Sequence, residues 1–447
     1  MASLLNLTEF LSCCKLYLSL LIRNKSLTLL ILWKSLFQRM SYILQGKEFD
    51  VDIKNFRELE PFYRDQLLDD VIPFWLKHSL DREFGGYLTL LDRDGSIYGT
   101  DKYMWVQGRE TWLFAKLYNT VEKREEWLQS AKIGADFIKK YAFDSNERVY
   151  FRVSREGKPI HEPWSIFSET FIIIGLAQFA KASGDEEALN LSIKTFWNVV
   201  SWLKDPKMLS TNIYAENYPI KTHAIPMIMI ATTQEMREVV DDERFDEIIA
   251  QNLNEILHVH AKDEVGALLE TVGKNGEIID SPEGRCVNPG HAIESVWFCL
   301  REAVKRGDRK ITERALQILN WSLERGWDKK YGGILYFVDI KGKPPEQLEW
   351  DMKLWWPHTE ALYALLLAYY ISREKKYLDW YEKIHTYTFN HFPDPKFGEW
   401  FGYLHRDGTV SLKLKGSMWK GPFHLPRALL YCMQLLEEMN KKPKAGT

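Results

Sequence analysis

Three histidines recur in this chain at an almost constant interval, each in a short segment containing Gly, Pro or Trp. They are His291 in NPGH, His358 in WWPH and His424 in GPFH, and they stand 67 and 66 residues apart. The chain has 11 histidines among 447 residues, so this spacing is unexpected by chance. Self-similarity at a fixed period is typical of repeat architectures. It predicts one structural position that is used several times.

The helical pattern has a similar period. Apolar residues at helical spacing predict twelve helices, near residues 58–79, 105–120, 124–141, 165–183, 187–204, 223–240, 243–261, 289–306, 309–326, 357–373, 376–391 and 421–440. Strand-like stretches between some helices turn on a polar residue followed by glycine, a pair that suits tight hairpins. These turns lie at 94–95, 156–157, 275–276, 341–342 and 407–408.

Twelve helices in six pairs predict an all-α fold, an (α/α)6 toroidal barrel with short β-hairpins between some of the pairs. An open solenoid is the competing geometry. Closure is favoured because six units in a ring need no polar end caps. In a closed ring, residues at the same phase of each unit also converge on one axis.

Several polar residues share that phase. They follow their turn glycine by 12 to 16 residues or repeat at the same interval, and they are Arg109, Glu169, His223, His291, His358 and His424. Each lies at or near the predicted start of an inner helix. The sequence therefore predicts that five or six polar side chains rim one pocket.

His291 and His424 are the strongest catalytic candidates. Histidine titrates near neutral pH, so two imidazoles can act as base and conjugate acid in one turnover. The alternative is that each histidine caps a helix or satisfies a hydrogen bond in the core. The shared phase favours catalysis.

The segment around His358 suits a polyhydroxylated ligand. Lys353, Trp355, Trp356 and Glu360 lie within eight residues of the chain, and they combine a cation, two indoles and a carboxylate. The alternative is that the tryptophans pack the core while Lys353 pairs with Glu360. Arg109 could stabilise an oxyanion through its fork of donors, or it could form a structural ion pair.

Composition excludes several classes of protein. A net charge of -3 and a pI near 6.5 give no support to nucleic-acid binding, which usually requires a basic excess. Five cysteines show neither metal-ligand spacing nor a disulfide framework, so a reducing compartment is expected. We find no dinucleotide fingerprint. Four carboxylates near loops could form a glycosidase-like pair, although no spacing singles them out: Asp263, Glu264, Glu283 and Glu349.

Residues 1–39 differ from the remainder of the chain, since they carry five basic residues and one acid. Their apolar runs at 16–22 and 26–33 are too short for a membrane span of about 20 residues. We interpret 1–39 as an N-terminal extension, either a targeting segment or a stretch preceding a wrongly assigned start. The second interpretation is favoured because a globular pattern follows Met40. Residues 40–447 then form a single barrel domain.

Longer motifs give a family resemblance. FGGY at 84–87, DKYMWVQGR at 101–109, NPGHAIESVWF at 288–298, QLEWDMKLWWPHTEAL at 347–362, FGEWFGYLHRDG at 397–408 and KGPFHLPRA at 420–428 resemble the N-acylglucosamine 2-epimerase (renin-binding protein) family. The resemblance covers residues 58–436. It implies an (α/α)6 barrel that interconverts N-acetylglucosamine and N-acetylmannosamine, in amino-sugar and sialic acid metabolism.

The same resemblance implies roles for individual residues. The catalytic set would be Arg109, His291, Glu360 and His424. Apart from the resemblance, we predict as substrate-binding residues His223, Glu294, Lys353, Trp356 and His358. By the same resemblance, ATP would act as an allosteric activator, and no metal or redox cofactor would be needed. The protein would be a cytoplasmic homodimer, although residues 1–39 leave organelle targeting open. The site of the nucleotide is not apparent, because the chain has no phosphate-binding motif.

One departure keeps rival functions open. His223 in KTHAIPM stands where members of this family usually have another residue, whereas related sugar isomerases place a third histidine in that region. The first rival is therefore an aldose–ketose isomerase on the same barrel. Two further rivals, independent of His223, are a non-catalytic interaction protein and an (α/α)6 glycosidase. A glycosidase would need two carboxylates across the pocket, whereas this sequence places histidines at the repeated phase.

Overall fold

The computed structural model describes residues 55–205 and 218–441, and it contains twelve helices in that part of the chain. Their bounds are α1 (Phe56–Asp65, continued by the π-helical Gln66–Val71 and by Ile72–His78), α2 (Met104–Thr120), α3 (Glu125–Tyr141), α4 (Phe167–Ser183), α5 (Glu186–Trp202), α6 (Ala224–Arg237), α7 (Arg244–Asn254, continued by the π-helical Glu255–His260), α8 (Pro289–Arg306), α9 (Arg309–Gly326), α10 (Trp355–Ser372), α11 (Lys375–His391) and α12 (His424–Lys441). The twelve predicted helices are confirmed. The proposed domain boundary at residue 40 lies outside the described residues.

The helices alternate between two environments. The even-numbered helices are buried around most of their circumference: in α10, every residue from Trp355 to Ala368 is buried. The odd-numbered helices bury one stripe and expose the opposite face, as expected of helices on the outside of a fold. Each buried helix packs against the next buried helix along the chain. The ring centroids of Trp112 in α2 and Tyr431 in α12 lie 6.5 Å apart. The inner helices thus form a closed ring, which confirms the (α/α)6 barrel.

Short strands connect the helices at one end of the barrel. They are β1 (Leu90–Leu91), β2 (Ile97–Gly99), β3 (Lys102–Tyr103), β4 (Arg152–Val153), β5 (Pro159–His161), β6 (Ile220–Thr222), β7 (Ala261–Lys262), β8 (Ala267–Leu268), β9 (Thr271–Gly273), β10 (Cys286–Val287), β11 (Val338–Asp339), β12 (Lys353–Leu354), β13 (Tyr403–Leu404) and β14 (Val410–Leu412). In the described ranges all strand pairs are antiparallel, and they form six small sheets: β1-β2, β3-β4-β5, β6-β9, β7-β8, β10-β11 and β12-β13-β14.

The turns at 94–95, 156–157 and 407–408 join neighbouring strands, as predicted. The turns at 275–276 and 341–342 also have glycine at positive φ, but β9 pairs with β6 and β11 pairs with β10 instead. Prolines follow these two turns closely, at 282 and at 344 and 345. Because proline cannot donate to a ladder, Pro344 and Pro345 account for the absence of a returning strand after the second of these turns.

A buried ionic cluster that the sequence analysis missed occurs three times around the ring. An aspartate just past the end of an outer helix binds a fully buried lysine and the arginine that precedes a hairpin turn. The clusters are Asp81–Lys102–Arg155, Asp328–Lys353–Arg406 and Asp394–Lys415–Arg93. In the third, Arg93 follows α1 and Asp394 follows α11, so the same cluster that links neighbouring units also links the two ends of the ring.

No helix in the described residues is long and apolar enough to span a bilayer.

Candidate active site

A cavity of about 940 Å³ opens inside the ring at the end where the inner helices begin. All six inner helices contribute to its wall, through residues that include Arg109, Phe171, Met227, His291, Trp356 and His424. Three of the six residues predicted to share a phase therefore line the cavity: Arg109, His291 and His424. The other three, Glu169, His223 and His358, are fully buried and lie outside the lining.

His291 is held at the start of α8. The side chain of Asn288 caps this helix by accepting a hydrogen bond from the His291 backbone N–H at 3.1 Å, so the imidazole itself is not the cap. Its Nδ1 lies 2.9 Å from Oε2 of Glu270, between β8 and β9. An ionised carboxylate can only accept, so Nδ1 carries the proton. Within the described residues Nε2 of His291 forms no hydrogen bond, and the ring lines the cavity.

His424, the first residue of α12, has an analogous arrangement. Its Nδ1 lies 2.8 Å from Oε1 of Glu360 in α10, and the described part of the chain offers its Nε2 no hydrogen-bond partner. The Trp356 ring touches both imidazoles, with centroids 5.2 Å from His291 and 5.5 Å from His424. Trp356 can lie there because Gly290 has no side chain: a Cβ at that position would come within 2.6 Å of the indole.

The two imidazoles have opposite protonation preferences. Burial disfavours the charged form of His291, but the charge and hydrogen bond of Glu270 outweigh it and raise the pKa of His291 above its usual value. Burial is also the largest cause at His424, and there the positive charges of Arg109 and Arg427 add to it. The pKa of His424 therefore falls well below the usual range, despite the opposing charge of Glu294.

Arg109 projects from α2 between aromatic rings. Its guanidinium carbon lies 4.5, 4.0 and 4.9 Å from the ring centroids of Trp105, Phe171 and Phe423, and within residues 55–205 and 218–441 it forms no ion pair. Nε is buried without a partner. Burial lowers the pKa of Arg109 to about 9. A buried cation whose donors are free in this part of the chain is suited to binding an anionic oxygen.

Glu360 lies behind His424 rather than in the cavity lining. It accepts hydrogen bonds from Trp297 Nε1 at 2.8 Å and from Arg427 Nη2 at 2.7 Å, and Arg427 also binds Glu294. The ligand atoms of Glu294, Glu360 and His424 lie within 4.8 Å of one another, a spacing that a metal ion could use. The Arg427 cation already bridges both carboxylates. Glu294 lines the cavity, as expected of a substrate contact.

Two predicted substrate contacts are placed elsewhere. Nδ1 of His358 donates to the Leu354 carbonyl at 2.6 Å, and Nε2 accepts from the Ile334 N–H at 2.9 Å. Both ring nitrogens are thus used, and burial lowers the pKa of His358 to about 3, so this neutral ring has no nitrogen left for a ligand. Lys353 is fully buried against Asp328 in one of the three ionic clusters. Neither residue lines the cavity, and both positions are explained by the fold.

His223 also lies outside the cavity lining, but it contacts Glu270, which binds His291. Its Nδ1 lies 3.4 Å from Oε1 of Glu270, the carboxylate that binds His291 through its other oxygen. On its far side, Nε2 lies 2.9 Å from Ser295 Oγ. His223 therefore contacts the carboxylate that holds His291, and neither His223 nor Glu270 lines the cavity.

Sequence reasoning missed Glu270, Arg427 and Trp297. Arg427 follows His424 by three residues in α12, a spacing that places both on one helix face, so this signal was available. Glu270 lies between two short strands and has no periodic signal.

Of the four carboxylates considered for a glycosidase, Glu349 lines the cavity. Asp263 pairs with Arg314, and the lining contains neither Asp263 nor Glu264 nor Glu283, so the four carboxylates do not form a pair across the pocket.

The chain is similar to known proteins over most of its length. The family model for N-acylglucosamine 2-epimerase (GlcNAc 2-epimerase) matches residues 85–425. The chain is 38% identical to the N-acylglucosamine 2-epimerase of Bos taurus over 382 residues, which cover 83% of this chain and 90% of that protein. It is 35% identical to the enzyme of that name from Homo sapiens over 387 residues, covering 85% and 90%.

A solved structure gives the same fold. The cellobiose 2-epimerase from Bacillus thermoamylovorans B4167 superposes with a TM-score of 0.74 at 22% identity, covering 86% of this chain and 100% of that one. At this identity the likeness supports the architecture alone. The ring of helix pairs is therefore shared with a protein of distant sequence.

Proposed function

The chain belongs to the N-acylglucosamine 2-epimerase family and is a carbohydrate epimerase, and from this premise we propose that it interconverts N-acetylglucosamine and N-acetylmannosamine by proton transfer at carbon 2. One observation carries the proposal. Two imidazoles of one cavity each present Nε2 while a glutamate holds Nδ1. Inversion of a carbon requires a base on one face and an acid on the other, and this pair supplies both.

The reaction begins from the open-chain aldehyde, because only there is the carbon 2 proton adjacent to a carbonyl. His424 takes this proton through Nε2, and the electron pair of the C–H bond moves into an enolate whose charge resides on O1. His291, which starts protonated, then returns a proton to the opposite face of carbon 2. In the reverse direction the two histidines exchange roles.

Arg109 has the role of stabilising the enolate oxygen. Its free donors face a cavity rimmed by aromatic rings, and in such a site a fixed cation interacts more strongly with developing charge than it does in water. Glu270 and Glu360 hold the two imidazoles in the tautomer that leaves Nε2 towards the substrate. Trp356 contacts the imidazoles of both His291 and His424 and so sets the distance between these two rings.

The test is proton exchange at carbon 2. Purified protein from residue 40 onward is incubated with N-acetylmannosamine in D₂O and followed by NMR. The wild type should give N-acetylglucosamine carrying deuterium at carbon 2, whereas His291→Asn and His424→Asn should each lose about 10²- to 10⁴-fold in rate. A ketose product would contradict the proposal, as would full exchange in both directions by His424→Asn.

Three further features implied by the family resemblance remain proposals: activation by a nucleotide such as ATP, a homodimer, and a cytoplasmic location. Assays with and without ATP test the first. Light scattering on the purified protein tests the second. The epimerase chemistry described above needs none of them.

A further inference from the structure

One of the three buried ionic clusters precedes the inner helix that carries His424, and its connection to that helix is the longest of the three. Lys102 and Lys353 each lie in a short strand two residues before the start of an inner helix. Lys415, the lysine of the third cluster, instead precedes His424 by nine residues, and the described chain forms no strand over them. A longer connection loses more conformational freedom when it is ordered. The position of His424 therefore requires additional contacts.

The third cluster also contains a glutamate at a position that favours glycine. The N–H of each cluster aspartate donates to the carbonyl of the residue five positions later, and these residues are Gly86, Gly333 and Glu399. All three have positive φ, at 68°, 74° and 53°, which crowds the Cβ of an L residue. In the described ranges Glu399 is the one buried residue other than glycine with this conformation. Such an outlier indicates a function for the side chain.

The side chain of Glu399 binds a second lysine of the long connection, Lys420. Its Oε2 accepts from Nζ of Lys420 at 2.5 Å, and both side chains are 1% exposed. The same ammonium donates to the carbonyl of Lys415 at 2.9 Å, so it joins the two ends of the segment 415–420 and ties them to the turn at Glu399. Burial lowers the pKa of Lys420 to about 8 despite this carboxylate. The ammonium therefore depends on Glu399 to keep its charge near neutral pH.

Lys420 is close to His424 along the chain and in space. Residues 421–423 separate the two, and one of these is a proline, whose φ is fixed. The Trp355 ring lies 5.7 Å from the ammonium of Lys420 and 6.3 Å from the imidazole of His424. Neither Glu399 nor Lys420 lines the cavity. A displacement of Lys420 would therefore act on the reaction through His424 and not through a contact with the substrate.

We infer that Glu399 and Lys420 are positioning residues, whose buried ion pair fixes the connection 415–423 and so places Nε2 of His424 for proton transfer. The inference rests on the proposed function. It explains why the third turn has a glutamate where the other two have glycine. The inner helices after Lys102 and Lys353 begin directly and need no second ion pair.

The first experiment replaces Lys420 in the full chain. Lys420→Met keeps the length of the side chain and removes the ammonium, so the imidazole of His424 should be displaced. We expect kcat to fall about 10- to 100-fold with KM nearly unchanged, the range of a displacement of about 1 Å. Steady-state kinetics with N-acetylmannosamine measures this split. A kcat within about twofold of wild type would overturn the inference.

The second readout is deuterium exchange at carbon 2, followed by NMR in D₂O for each epimer separately. In the proposed mechanism one of the two epimers gives its proton to His291, and this step does not need His424. In Lys420→Met this epimer should exchange its proton faster than it is converted, so the ratio of exchange to conversion should rise at least about tenfold over wild type. An unchanged ratio would overturn the inference.

Arg237→Met is the matched control. Arg237 is the last residue of α6 and binds the buried carboxylate of Glu302 at 2.6 Å, at the end of the barrel opposite the cavity mouth. This variant therefore also breaks a buried ion pair. Its Tm should fall, while its kcat and its ratio of exchange to conversion should stay close to those of wild type. A rise in this ratio equal to that of Lys420→Met would contradict a specific role for Lys420.

The double variant Glu399→Gly/Lys420→Met separates positioning from stability. Lys420→Met leaves the Glu399 carboxylate buried without a cation, whereas the double variant removes both groups, and glycine is unstrained at positive φ. The double variant should therefore regain most of the lost Tm while its kcat stays low. Recovery of kcat together with Tm would overturn the inference, and the double variant alone decides if Lys420→Met does not fold. A wild type that does not epimerise N-acetylmannosamine would instead contradict the proposed function.

Discussion

The α8 side and the α12 side of the cavity share the contact between a histidine and a glutamate. They differ in the residue that binds the glutamate from its other side. On each side a glutamate accepts from Nδ1 of a histidine, at 2.9 Å for His291 and 2.8 Å for His424. Behind Glu270 is a second imidazole, His223, whereas behind Glu360 is the guanidinium of Arg427. The partner behind the carboxylate therefore decides how much of its charge is available to the histidine.

In the proposed mechanism, this difference sets the starting state of the reaction. Glu270 keeps its charge for His291 and favours the imidazolium, so the pKa of His291 is raised. Glu360 is already paired with a cation, and the pKa of His424 is lowered by burial and by Arg427. These two shifts favour a transferable proton on His291 and a free Nε2 on His424. That is the combination required for transfer across a planar carbon.

The largest effect is expected from exchanging either carboxylate for its amide. Glu360→Gln can donate to Nδ1, so it permits the tautomer that has its proton on Nε2 and cannot act as a base. We expect kcat to fall about 10²- to 10⁴-fold, with KM nearly unchanged. Steady-state kinetics measures this split. A rise in KM at constant kcat would indicate substrate binding instead.

The same change at Glu270 should differ in its pH dependence. Glu270→Gln removes the charge that raises the pKa of His291, so the imidazolium deprotonates at lower pH. The alkaline limb of the kcat/KM profile should therefore move to lower pH, whereas Glu360→Gln should lower the whole profile. Equal profiles for the two variants would contradict the proposed asymmetry.

Removing Arg427 should make the two sides more alike. In Arg427→Met, Glu360 becomes free to favour the charged form of His424, so the pKa of His424 rises and the base is protonated at higher pH. The acid limb of the kcat/KM profile should move up by about one pH unit or more. Arg427→Lys retains a cation and should keep the limb close to its wild-type position. An unmoved acid limb in Arg427→Met would show that Arg427 does not set this pKa.

The periodic part of the molecule was accessible from the sequence. All twelve helices and the ring were predicted, because amphipathic stripes and inner helices repeat at fixed spacing. The same periodicity placed Arg109, His291 and His424 on the cavity wall. It failed for His358, since a residue at the right phase can still turn its side chain into the packing between helices, where both nitrogens find backbone partners.

Contacts that join distant, non-periodic segments were not accessible. Glu270 reaches His291 from a loop between two-residue strands, and no local pattern indicates this position. Lys353 stands beside tryptophans in the sequence, which suggested a sugar contact. Its partner Asp328 lies 25 residues away in the chain. The ionic clusters become visible only when the helix pairs are closed into a ring.

The smallest effect is expected at His223, whose contact with Glu270 is long, 3.4 Å. His223→Phe removes one of the two imidazoles that share this carboxylate, so kcat should change only about two- to tenfold, the range of one hydrogen bond. KM should not change, because His223 lies behind the wall. His385→Phe is a matched control: His385 is also buried, and neither of its ring nitrogens has a partner in the described residues. A large rise in KM, or a ketose among the products of wild type but not of His223→Phe, would instead place His223 on the substrate and give both sides of the cavity a direct contact.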